Sequence, residues 1–162
     1  MSDLQQSSST YGKDIRAIRI FFNAILAGTI MFSLIALSLN MMKQTISPFK
    51  DPENVILWVA IAMGLTCYAV ARTGFNKSIA GAKDSLISLP DKLNQYRTAL
   101  IRYVALCEMP ALFGIILFFI TGNYFMFIVT AIMIIAMVAK APTRQRVIND
   151  LALDWQQQGQ LD

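Results

Sequence analysis

Residues 20–42, 54–71 and 103–139 hold a single charged side chain, Glu108. Each stretch approaches or exceeds the roughly 20 apolar residues that cross a bilayer as a helix. The third is long enough for two crossings, with a turn at Gly122 and Asn123 between them. Hydrocarbon offers backbone groups no water to bond, so an apolar run of this length must satisfy them internally, as a helix does. The expected fold is all-α, with four transmembrane helices over about 18–42, 54–72, 100–121 and 123–140 packed as two hairpins in a compact bundle. Only 15% of the 162 residues are charged, against roughly 25% in soluble proteins, which agrees with that reading.

The rest of the chain arranges itself around the spans. Residues 1–12, MSDLQQSSSTYG, have nothing to bury and suggest a disordered N-terminal tail ahead of a transmembrane domain over 13–141. Two prolines between residues 43 and 53 break the chain after the first span, and Asn54 suits the N-cap of the second. Between spans 2 and 3, Phe75, Ile79, Ala82 and Leu86 recur at helical spacing and predict a short amphipathic cytoplasmic helix on the membrane surface, ended or kinked by Pro90. Residues 142–162 predict an amphipathic tail. Thr143 caps a helix whose Val147, Ile148 and Leu151 share a face, and Asp154 with Gln157 has capping-box spacing for a further turn.

Orientation follows from the basic residues, which are retained on the cytoplasmic side. With the N-terminus inside, twelve Lys and Arg fall on the inner side and only Lys43 and Lys50 on the outer. An integral protein of a bacterial cytoplasmic (inner) membrane with both termini cytoplasmic is expected. Trp58 and Tyr124 then mark the outer boundary and Tyr68, Tyr96 and Tyr103 the inner one, as an aromatic belt. The first span lacks a cleavage site and is too long for a signal peptide, so it is expected to stay in the protein. Ile18-Arg19 and Asn40 reappear as Ile101-Arg102 and Asn123, a faint echo at an offset of 83 residues that a duplicated hairpin or chance would leave.

Composition removes several chemistries. The absence of histidine excludes His-ligated haem and the common zinc and copper sites, and leaves no imidazole for acid/base work. Cys67 and Cys107 form no CxxC pair, and the nine methionines lie on different faces. The net charge of +4 comes from residues spread between spans, so no nucleic-acid surface is expected, and neither a cofactor nor a metal.

The residue most open to a functional reading is Glu108, a carboxylate inside a span, where insertion costs about 2.5–3.5 kcal/mol at the bilayer centre. Pro110 is expected to kink the helix beside it and free the carbonyl of Leu106. Glu108 is either a proton or ion site or an interhelical polar contact with groups at similar depth, such as Asn23, Thr66 and Arg72. The pairs Ala24 with Gly28 and Ala60 with Gly64 have the spacing that lets helices approach, and are expected to pack the protomer. No nucleophile and base pair marks an enzyme. Two functions fit: a non-enzymatic subunit or scaffold, or a small ion- or proton-coupled transporter or channel using Glu108. The partners implied are the lipid bilayer, a second copy or a larger membrane complex, and a cytoplasmic protein at the C-terminal tail.

Overall fold

The computed structural model describes the backbone of residues 2–42, 53–83 and 88–159. It is all-α: α1 (Ser2–Met42), α2 (Glu53–Ala82), α3 (Leu89–Thr121), α4 (Tyr124–Val138), α5 (Arg144–Leu151) and the single turn α6 (Trp155–Gly159). Three of these helices are long and apolar enough to cross a bilayer, and α4 is a shorter apolar helix. The chain is a small helical membrane protein. The connection over 43–52 and Leu86 lie outside the described residues.

At the centre stands α3, with α2 and α4 packed closely along it and α1 on a further side. Its buried positions wrap around the helix, from Tyr96 and Tyr103 through Cys107 and Ala111 to Phe118. The α3–α4 hairpin forms as the sequence predicts. Gly122 ends α3 in the left-handed conformation at φ 69°, its N–H donating to the carbonyl of Phe118 at 2.8 Å. A residue with a Cβ would be strained there. The Asn123 side chain then caps α4 by accepting from the N–H of Phe125 at 3.0 Å.

The other expected hairpin does not close as a packed pair. Adjacent in sequence, α1 and α2 make no extended contact with each other, and each leans on α3 instead. Ile18 and Phe22 of α1 line one shallow groove with Leu100 and Val104 of α3, and Phe32 and Leu39 line another with Ile115 and Phe119. The two helices therefore run parallel, and they part near Gly122 around an open apolar cleft of about 360 Å³. A ten-residue connection permits this separation, which the two-residue turn between α3 and α4 forbids.

The backbone of α1 is helical from Ser2. Extending an existing helix adds one hydrogen bond for each residue fixed and avoids the unfavourable nucleation step. Two local expectations are corrected. First, the surface helix expected after span 2 is the unbroken continuation of α2, and its apolar face is inside the protein: Phe75, Ile79 and Ala82 are buried. The N-terminal half of α3 supplies the surface that covers them, through Leu93, Tyr96 and Tyr103. Finally, Pro90 opens α3 in its first turn, where a missing N–H is harmless, behind the N-cap residue Ser88. Pro110 lies inside α3, which stays helical across it.

The tail forms the predicted elements. The hydroxyl of Thr143 accepts from the N–H of Arg146 at 3.3 Å, and Gln157 accepts from the N–H of Asp154 at 3.4 Å. Its apolar face is used within the chain: Val147, Leu151 and Leu153 are buried in the cluster that holds Phe75, Leu93 and Tyr96. The C-terminal end of α2, the N-terminal part of α3 and α5 thus build a small core at the end of the bundle rich in basic residues. Trp155 stays exposed.

Candidate functional site

Glu108 is half-buried on α3, next to the buried Cys107 and Pro110. It lies between the two places where α1 meets α3, level with the stretch of α1 from Ile25 to Thr29. The three polar residues expected around it are not brought there by any hydrogen bond among the described residues. Asn23 and Arg72 are exposed, and the Thr66 hydroxyl donates within its own helix to the Ala62 carbonyl at 2.7 Å. Nor does Glu108 line any of the five grooves on the molecule described here.

The buried polar groups of the spans are others. Thr29 and Ser33 are buried on the inward face of α1, and each hydroxyl donates to the carbonyl four residues back, Ile25 at 3.1 Å and Thr29 at 2.8 Å. Between α3 and α4 the bonds cross the interface. Thr130 donates to the Ala111 carbonyl at 2.9 Å, and Tyr103 to the Ala136 carbonyl at 3.1 Å. Gly114 makes the first possible by letting α4 come close. Gly114 and Thr130 are equidistant from Gly122, a symmetry about the turn that would have pointed to this contact in the sequence. The bonds of Thr130 and Tyr103 tie α4 to α3, whereas those of Thr29 and Ser33 satisfy each hydroxyl within α1.

The small-residue pairs divide. Ala60 and Gly64 are buried, and a Cβ on Gly64 would stand 3.3 Å from both Met133 and Val129 of α4, so this pair packs the protomer as expected. Ala24 and Gly28 do the reverse: both are exposed, and Gly28 has nothing within 4 Å of where its Cβ would be. The expectation that they pack the protomer is corrected. α3 meets α1 along the face of Phe22, Thr29, Ser33 and Ala36, leaving Asn23, Ala24 and Gly28 pointing away.

At the basic end, α5 closes over an aromatic cluster. Phe75 meets Tyr96 and Tyr103 edge-on, at centroid distances of 6.0 and 5.8 Å, and the Lys140 ammonium sits 4.6 Å above the Phe75 ring. Tyr96 and Tyr103 are therefore core residues and not part of a lipid-facing belt, whereas Trp58 and Tyr124 are exposed as a belt requires. Arg146 donates to the carbonyls of Ala139 and Ala141, satisfying the orphaned end of α4. The Tyr96 hydroxyl and Asp150 Oδ2 are buried without a hydrogen-bond partner among the described residues. Leaving a buried hydroxyl unmatched costs about 1–3 kcal/mol, so Tyr96→Phe should be neutral or stabilising by up to that amount in thermal unfolding. A loss of more than about 1 kcal/mol would show that the hydroxyl is bonded in solution, the typical net worth of one such bond.

Among the described residues no group of three or more His, Cys, Asp and Glu could hold a metal ion, and Cys67 and Cys107 are both free thiols. Comparison with protein-family models, with curated proteins and with solved structures finds no match.

Proposed function

We propose that this protein is a non-enzymatic subunit of a membrane assembly, and that it associates through the outward face of α1. One observation carries the reading: Asn23, Ala24 and Gly28 lie together on a surface that none of the described residues covers. Apolar side chains facing outward from a span need no partner but lipid. An amide does, because hydrocarbon leaves its donors and acceptor unmet. Asn23 makes no side-chain hydrogen bond among the described residues. An asparagine on a second copy supplies donor and acceptor at once, and the small residues beside it let two backbones approach.

Gly28→Leu tests this, since the new side chain meets open space in the protomer. The expected result in mild detergent is an unchanged helix content with conversion of the assembly to a smaller species, measured by light scattering. A wild-type protein that is already monomeric and brings down no membrane partner would overturn the proposal. The alternative, an ion- or proton-coupled transporter or channel, rests on Glu108, a half-buried carboxylate inside the apolar stretch of α3.

We further place α4 across the membrane as a fourth span, with both termini in the cytoplasm of a bacterial cell. At about 1.5 Å per residue its 15 residues cover roughly 22 Å. The hairpin nevertheless returns to the level at which α3 entered, because Tyr103 bonds the Ala136 carbonyl. A reporter at Ser2 or after Asp162 should read cytoplasmic and one inserted at Pro48 external. Opposite readings from Ser2 and Asp162 would remove α4 from the spans.

A further inference from the structure

A groove runs between α2 and α3 at the basic end of the bundle, and its two halves differ in chemistry. The outer half, about 340 Å³, is lined by Lys77 and Ser78 of α2 and by Asn94, Gln95, Thr98 and Arg102 of α3. The adjoining half, about 320 Å³, shares Lys77 and Arg102 and continues along Val70, Gly74 and Leu106. Among the described residues no carboxylate lines either half. Val70 and Leu106 belong to the apolar runs of the sequence, whereas Lys77 and Thr98 lie beyond them. The change from polar to apolar lining therefore falls where the apolar runs of α2 and α3 end.

From this geometry we infer a binding site for one anionic phospholipid. Its phosphodiester lies between the Lys77 ammonium and the Arg102 guanidinium, with the hydroxyl and amide groups of Ser78, Thr98 and Asn94 as further donors. An acyl chain follows Val70 and Leu106 toward the bilayer interior. Two cations on facing helices at the membrane surface form a basic pocket of the kind that selects anionic headgroups. A zwitterionic headgroup gains less, because its ammonium finds no carboxylate among the described residues of the groove, and the ring of Phe75 already carries Lys140. Free phosphate would use the same cations and leave the apolar half empty.

The glycines make the site testable. Gly81 lines the outer half and Gly74 the inner, and a Cβ on either meets nothing within 4 Å. Leucine at these positions fills the groove and leaves helix packing alone.

The full-length protein is reconstituted in nanodiscs of phosphatidylcholine with a minor share of phosphatidylglycerol, extracted in mild detergent, and its retained lipid counted by native mass spectrometry. Wild type should retain phosphatidylglycerol and not phosphatidylcholine. Lys77→Gln with Arg102→Gln should cut retention about tenfold or more, the scale expected for two cations near an anionic surface. Arg16→Gln with Arg19→Gln, an equal change of charge on exposed residues of α1, should leave it within about twofold, because it touches only the diffuse surface potential. Gly81→Leu should abolish retention with both cations present, and Gly74→Leu repeats that test from the apolar half. Equal retention of the two lipids, equal loss in the two charge-changed proteins, or full retention in both leucine variants would overturn the proposal. Displacement of the lipid by millimolar inorganic phosphate would reassign the groove to a soluble phosphate compound.

Discussion

Gly114→Leu should separate α3 from α4 and cost about 3 kcal/mol, the upper end of what overpacking a close contact takes. A Cβ at Gly114 would stand 2.6 Å from Thr130 Oγ1 and 3.0 Å from the Met126 carbonyl oxygen. The first of these atoms can rotate away only by giving up its bond to the Ala111 carbonyl. The second is backbone and cannot yield without moving α4. Gly64 provides the contrast, since its nearest neighbours are the ends of the Met133 and Val129 side chains, each at 3.3 Å. Gly64→Ala should therefore cost under about 1 kcal/mol, as flexible side chains shift by a few tenths of an ångström. Denaturation by dodecyl sulfate, followed by circular dichroism, measures both. Adding Thr130→Ala to Gly114→Ala should recover part of the loss, but not the part owed to Met126. Equal costs at Gly64 and Gly114 would contradict the close approach of α3 and α4.

The spans were legible because each is a solvation statement, readable without knowing any contact. A run such as residues 20–42 has no water-soluble arrangement, and the turn at Gly122 is dictated by two residues. Caps were legible for the same local reason, as Thr143 and the pair Asp154 with Gln157 show. What the sequence hid was which faces meet. Ala24 with Gly28 and Ala60 with Gly64 have identical spacing, yet one pair faces out and the other is packed against α4. Nothing within either helix distinguishes them, because the difference lies in where α3 chooses to stand. The same gap explains Phe75, Ile79 and Ala82. Their periodicity shows an apolar face but not what covers it, and a membrane surface and a neighbouring helix demand the same pattern. At the candidate site, Glu108 announced itself by its charge, while Thr29, Ser33 and Thr130, buried and satisfied by carbonyls, carried no such mark.

Leu151→Asp should release the C-terminal helix and leave the spans folded. Leu151 is wholly buried, and with Val147 and Leu153, flanked by the half-buried Ile148, it packs the tail against the ends of α2 and α3. Removing a buried leucine from a water-facing core costs about 2–5 kcal/mol, and a carboxylate put in its place adds the cost of an unpaired buried charge. Asp150 makes the second carboxylate worse, since its own Oδ2 already lacks a hydrogen-bond partner among the described residues. An eight-residue helix has no comparable reserve: isolated helices under about 12–15 residues are marginal in water, so α5 exists only while docked. Hydrogen exchange separates the local from the global event. Peptides covering residues 143–158 should lose their protection in the variant, and peptides from 100–121 should keep theirs. If both lose protection, the tail is part of the cooperative unit that holds α2 to α3. Should the tail stay protected, its helix is secured by something other than Val147, Leu151 and Leu153, and the small core at the basic end is not what anchors it.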